Sequence, residues 1–103
     1  MKKHKTQKNG NGHVSTSVRI EFTHPTAAAV AIAGTFNDWR PDATQMLAVG
    51  EGHWVKELAL AHGNYEYRLV VDGAWIPDPR AREGAPNPYG EMNSVLRVQT
   101  FPA

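Results

Sequence analysis

Two tryptophans, Trp39 and Trp75, each stand beside a turn rather than inside an apolar run. The first follows Gly34-Thr35-Phe36-Asn37-Asp38, the second Val71-Asp72-Gly73-Ala74. An indole in such a place is either part of a core or a flat apolar platform facing water. Other residues that could do chemistry offer less. His4, His13, His24, His53 and His62 lack the His-x-His or His-x3-His spacing of a metal site and have no cysteine to join them, so neither a metal nor a cofactor is expected. Asp72 and Asp78 could be imagined as the carboxylate pair of a glycosidase. Asp72 is better explained by the turn it makes with Gly73, and Asp78 by the loop it enters with Pro79. No Ser–His–Asp order on a strand–turn–helix frame and no glycine-rich phosphate loop is visible, so no catalytic residue is expected.

The elements that must position these residues read as short strands. Val18, Ile20 and Phe22 alternate with Arg19 and Glu21 from Ser17 onward, the period of a half-buried strand. Ala28, Val30 and Ile32 form a second strand that Gly34 ends. Met46-Leu47 is a short apolar piece, and His53 to Leu60 is another strand, with Trp54 in the core. Tyr65, Tyr67, Leu69 and Val71 alternate with Glu66, Arg68 and Val70 up to Asp72-Gly73, a strong hairpin signal. Pro77 to Gly90 reads as an ordered or partly ordered loop, and Asn93 to Gln99 as the last strand. No segment shows helical periodicity. Six to eight short strands spaced this way predict an all-β fold, an antiparallel β-sandwich.

Hairpin register then bears on the second tryptophan. With a two-residue loop at Asp72-Gly73, Val71 faces Ala74, Val70 faces Trp75 and Leu69 faces Ile76; a three-residue loop would undo this. Directly opposed residues share a side of the sheet. Trp75, Val70 and Arg68 therefore share one face, and Tyr67, Leu69 and Ile76 the other. The second set is the more continuously apolar and is expected in the core, with Trp75 and Arg68 together on the outer face. Such a pair is either a structural cation–π contact at a sheet edge or a site for a ligand with a flat apolar face and a hydroxyl-rich rim. A sugar ring has both features, and arginine or an amide can bond its hydroxyls.

Composition sets bounds on function. The 103 residues make one domain with room for a single core. Without cysteines there is no disulfide, which is compatible with a reducing compartment, and a cytoplasmic location is expected. The longest apolar run, Ala27 to Ala33, is too short to span a bilayer, and the lysine-rich start has no apolar segment of a secretory signal. Lys2, Lys3, Lys5 and Lys8 supply four of eleven basic residues, leaving seven against ten acidic ones in the body. That balance argues against nucleic acid as a partner. Residues 1–15 are expected to be a disordered basic tail and 16–103 the folded domain. The start at Met1 favours a stand-alone protein.

The order Gly34-Thr35-Phe36-Asn37-Asp38-Trp39, Gly52-His53-Trp54, Gly63-Asn64-Tyr65-Glu66-Tyr67-Arg68, Val71-Asp72-Gly73-Ala74-Trp75, Asp78-Pro79 and Asn93-Ser94-Val95-Leu96 resembles the family 48 carbohydrate-binding modules. These include the glycogen-binding domain of AMP-activated kinase β subunits and are related to the N-terminal domains of isoamylases and branching enzymes. The likeness covers roughly residues 16–100. It implies an immunoglobulin-like, early-set sandwich of about seven or eight strands that binds α-1,4-linked glucans without catalysis. Trp39 and Trp75 fall where that family stacks on glucose rings, and Arg68 and Asn93 where a basic residue and an asparagine bond hydroxyls. Two positions depart from the kinase pattern. Tyr89 stands where a leucine pushes through the ring of a bent glucan, and Glu91 stands where a threonine makes a contact. Asn87-Pro88-Tyr89-Gly90 also resembles loops of the isoamylase group.

The expected partner is accordingly an α-glucan polysaccharide or oligosaccharide, held by Trp39, Trp75, Arg68 and Asn93, with Tyr89 and Glu91 as further candidates. The alternative is a structural or regulatory module that docks onto a glucan-metabolising enzyme or a kinase through an exposed sheet edge and binds no sugar.

Overall fold

The computed structural model describes residues 6–8 and 14–99. They form nine antiparallel strands: β1 (Thr6–Lys8), β2 (Val14–Thr23), β3 (Val30–Gly34), β4 (Leu47–Gly50), β5 (His53–Ala61), β6 (Gly63–Val71), β7 (Ala74–Ile76), β8 (Glu83–Pro86) and β9 (Met92–Val98). One sheet has the order β1-β2-β5-β4 and the other β3-β6-β9-β8, with β7 added to β6. β6 is the hub of the second sheet. Its first half pairs with β9, its last three residues with β7, and β3 runs along the opposite edge. The result is the expected all-β antiparallel sandwich.

The core follows from the two-residue period. Ile20 and Phe22 of β2, Trp54, Leu58 and Leu60 of β5, Val30 and Ile32 of β3, and Tyr67, Leu69 and Val71 of β6 are all buried in one cluster. Phe22 is paired with Trp54 across the first sheet, so both point inward. The intervening residues face out. Arg19, opposite Glu57, bonds Glu21 at 2.6 Å and Glu57 at 3.2 Å. The Arg19 hydrogen bond holds the Glu21 carboxyl below its usual range.

One buried polar junction ties β6 to the chain after β7. The Tyr67 hydroxyl donates to Asp78 Oδ2 at 2.5 Å, and the Asp78 backbone N–H donates to Ser94 Oγ at 2.8 Å. Burial first, and then the Asp78 hydrogen bond and charge, raise the Tyr67 phenol far above its ordinary 10.0.

The strand count exceeds the sequence expectation of seven or eight, for two reasons. Glu83–Pro86 lies inside the segment expected to be loop, yet pairs with Met92–Val95 as β8. Pro86 is tolerable there because β8 is an edge strand. At the other end, β2 begins at Val14 rather than Ser17, and Thr6–Lys8 pairs with Val14–Thr16 within the stretch expected to be tail. The rest of that stretch, 1–5 and 9–13, lies outside the described residues, as do 100–103. Among the described residues no helix is long and apolar enough to cross a membrane.

Candidate functional site

The hairpin carrying Trp75 has the register the sequence predicts: Leu69 faces Ile76, Val70 faces Trp75 and Val71 faces Ala74. Asp72 at φ 49° and Gly73 at φ 87° both adopt the left-handed conformation that a two-residue type I′ loop needs. The Asp72 carboxylate accepts from the backbone N–H groups of Ala28 and Ala29, each at 2.9 Å, and the Asp72 N–H donates to the Ala29 carbonyl. The loop is thus tied to the chain entering β3, which fixes β7 and its indole. Trp75 is 41% exposed, while Leu69 and Tyr67 lie in the core.

Arg68 shares the outward face, as expected, but does not stand exposed there. It is 8% exposed. Its Nη1 donates to Glu91 Oε1 at 2.5 Å and its Nη2 to the Trp75 carbonyl at 3.2 Å. Hairpin register reports only the side of the sheet, and what covers that side comes from a loop distant in sequence.

That loop is the turn 87–91. Asn87 Oδ1 accepts from the N–H of Tyr89 at 2.9 Å and of Glu91 at 3.0 Å, the Asx turn that asparagine favours. The Asn87 N–H donates to the Glu91 carbonyl at 2.7 Å, and Gly90, at φ 81°, closes the turn. Asn87 Nδ2 also donates to Asn93 Oδ1 at 3.2 Å, and Asn93 Nδ2 donates to Glu66 Oε1 at 3.0 Å. Asn93 is 6% exposed, whereas Tyr89, at the tip of the turn, is 88% exposed.

Trp39 reaches the same place from the opposite edge of β6. Asn37 organises its turn. Asn37 Oδ1 accepts from the N–H of Gly34 at 3.0 Å and of Arg40 at 3.2 Å, while Nδ2 donates to the Ile32 carbonyl and to Thr44 Oγ1, each at 2.9 Å. The Trp39 N–H donates back to the Gly34 carbonyl at 2.9 Å. Asp38 and Trp39 both sit at φ 57°, an uncommon conformation for a bulky residue and a sign that the turn over-determines this pose. Phe36 packs on the core and meets the Tyr65 ring edge-on, with centroids 6.1 Å apart. Trp39 is left half-buried.

Trp39, Arg68, Trp75, Tyr89, Glu91 and Asn93 therefore line one open concavity of about 620 Å³, together with Asn87 and Pro88. All six residues singled out in the sequence meet there. Two contributors were missed. Asn87 shapes the turn, and the Asn-Pro pair was its available signal. Glu66 anchors Asn93, a role visible only from the pairing of β6 with β9. The site can offer two indoles and a phenol for stacking, and hydrogen-bonding groups between them. Other candidate groups are used by the fold: Asp72 by its backbone bonds and Asp78 by Tyr67. Among the described residues no group of three or more His, Cys, Asp or Glu could hold a metal.

Residues 16–102 match the family described as the glycogen recognition site of AMP-activated protein kinase. Among individual proteins, the chain is 26% identical over 81 residues to the amyloplastic phosphoglucan phosphatase DSP4 of Castanea sativa, covering 79% of this chain and 22% of that protein. It is 29% identical over 70 residues to the 5'-AMP-activated protein kinase subunit beta-1 of Sus scrofa, covering 68% of this chain and 54% of that one. With the beta-2 subunit of Homo sapiens the identity is 30% over 70 residues, covering 68% and 25%. The chain thus spans between about a fifth and about half of these relatives' lengths. The site geometry and the match across nearly all the described sandwich lead to one conclusion: the chain belongs to the glycogen-recognition domain family of AMP-activated protein kinase.

Proposed function

We propose that the domain carries out this family's non-catalytic glucan recognition on the Trp39–Trp75 face, binding α-1,4-linked chains such as glycogen, starch segments and malto-oligosaccharides. The carrying observation is that both tryptophans, with Arg68, Glu91 and Asn93 between them, line a single concavity. The indoles stack on the apolar faces of glucose rings, as the exposed Tyr89 phenol can beside them. Arg68 lines the cavity but is buried, with its terminal nitrogens bonded to Glu91 and to the Trp75 carbonyl, so it holds the polar edge of the site in place. Asn93 is buried and bonded at both ends of its amide, so its contribution is to brace the turn as much as to touch the sugar. A few stacking and hydrogen-bonding contacts on an open surface give affinities on the order of micromolar to millimolar for an oligosaccharide.

The test is a maltoheptaose titration followed by tryptophan fluorescence, together with retention on glycogen. Two of the three tryptophans lie at the site and the third, Trp54, is in the core. A saturable change with glycogen retention is expected; no change and no retention would remove this function.

A second role, docking of the domain onto a kinase or a glucan-active enzyme, has one observation in its favour. Edge strand β4 leaves Leu47 65% and Val49 55% exposed. Substituting both with threonine should then weaken co-purification with such a partner while leaving maltoheptaose binding intact. A cytoplasmic setting belongs to the same proposal and is supported by the cysteine-free sequence; cell fractionation tests it.

A further inference from the structure

Arg68 and Glu91 face the ligand cavity on unequal terms. The Arg68 side chain is 10% exposed, and its terminal nitrogens are committed to Glu91 and to the Trp75 carbonyl. Among the described residues its Nε–H is buried without a hydrogen-bond partner. Swinging toward a ligand would break both bonds and leave Glu91 unpaired. The Glu91 side chain is 58% exposed, and only its Oε1 is engaged among the described residues. Its backbone is pinned on both sides, since its N–H donates to Asn87 Oδ1 at 3.0 Å and its carbonyl accepts from the Asn87 N–H at 2.7 Å. The free oxygen, Oε2, is thus held in place at the rim of the cavity before any ligand arrives.

We propose that Glu91 is the group that reads the sugar hydroxyls, that Arg68 is its positioning residue, and that the pair makes the site selective for neutral over phosphorylated glucan. This rests on the glucan-binding function proposed above and specifies its substrate class. Glucose hydroxyls are donors lying around the ring edge. An ionised carboxylate only accepts, and its bonds are stronger than those of a neutral amide. A phosphate on the same sugar would bring a second negative charge to the open oxygen. Among the described residues Arg68 is the one basic residue lining the cavity, and its charge is already balanced by Glu91.

The experiment is a fluorescence titration with maltoheptaose and with maltoheptaose carrying a 6-phosphate on an internal glucose. Wild type should bind the neutral sugar about fivefold tighter, the size of one like-charge contact near water. Glu91→Gln should weaken neutral binding about fivefold, the gap between a charged and a neutral acceptor, and should bring the two sugars to within about twofold of each other by removing that repulsion. Arg68→Met should match the Glu91→Gln loss for neutral sugar, Arg68→Lys should recover most of it, and the double variant Arg68→Met/Glu91→Gln should lose no more than either alone. Glu91→Gln with wild-type affinity for both sugars overturns the inference while leaving glucan binding standing. Additive losses in the double variant also overturn it, because they make Arg68 an independent sugar contact. Wild type that binds neither sugar removes the proposed function and this inference with it. Glu91→Gln keeps an amide oxygen that can accept from Arg68, so the variant should stay folded with at most a modest drop in its unfolding midpoint, and the comparison of the two sugars decides the matter even if Arg68→Met folds poorly.

Discussion

At the scale of single residues, the two tryptophans of the site differ in what holds them. Trp75 projects from a short strand and is 41% exposed, so Trp75→Ala removes a stacking surface and little else. Calorimetry with maltoheptaose should show at least about a tenfold loss of affinity, the scale of one aromatic contact with its buried area, while the circular-dichroism melt stays close to wild type. Trp39 sits at φ 57°, where the backbone favours glycine. Trp39→Gly should therefore lose affinity to a similar extent without the strain that Trp39→Ala retains, and a melt no lower than that of Trp39→Ala is expected. Asp72 has a structural job: its carboxylate accepts from two backbone N–H groups. Asp72→Ala should lower stability by about 1–2 kcal/mol for an exposed charged acceptor, read from urea midpoints, and Asp72→Asn by less, since asparagine tolerates the same conformation.

At the scale of elements, the site is three pieces of chain clamped onto β6: the turn after β3, the β6–β7 hairpin and the turn 87–91. Gly34 is where the first of these leaves the sheet. A Cβ there would lie 2.6 Å from the Glu66 carbonyl oxygen and 2.7 Å from Tyr67 Cβ, so β3 must separate from β6 to admit it. Gly34→Ala should cost about 3 kcal/mol by overpacking and weaken sugar binding as well, because Trp39 hangs from the Gly34 carbonyl. The turn 87–91 is different, since Asn87 holds it mostly through its own side chain. Asn87→Ala should reduce maltoheptaose affinity with only a small shift of the melting curve. A drop in stability as large as that of Gly34→Ala would show that the turn is integral to the sandwich rather than added to it.

At the scale of the whole molecule, the buried Tyr67–Asp78 pair couples stability to alkaline pH. The folded state raises the Tyr67 phenol above 10.0, so above that pH the unfolded chain releases a proton that the native chain keeps. Native stability from this residue is complete below about pH 10 and is lost as the pH climbs beyond it. Denaturant midpoints measured from pH 8 to 12 should fall above pH 10, and Tyr67→Phe should flatten that fall. The same variant should cost about 2 kcal/mol at neutral pH, because the Asp78 carboxylate loses a buried donor.

Much of this molecule was legible in the chain itself. Alternating residues such as Tyr67, Leu69 and Val71 placed one face of β6 in the core, because a side chain on a strand has only two directions to choose from. Asp72-Gly73 fixed the register of β7, because a two-residue loop with two left-handed residues leaves one pairing. Trp75 could thus be placed outward, beside Arg68, from local chemistry alone. Trp39 could not, since its pose depends on the Asn37 bonds to Ile32 and Thr44 and on a backbone conformation that a tryptophan does not prefer by itself. The sequence likewise read 77–90 as a loop, because a glycine and a proline within Glu83–Pro86 hide a strand that exists only by pairing with β9. Least visible was the burial of Arg68. Glu91 lies 23 positions away, and only folding the 87–91 turn back over β6 brings its carboxylate to the guanidinium. Sequence could determine which side chains share a face, a property of the two-residue period. Which of them meets a ligand, and which is held beneath its neighbour, was decided by contacts between distant segments.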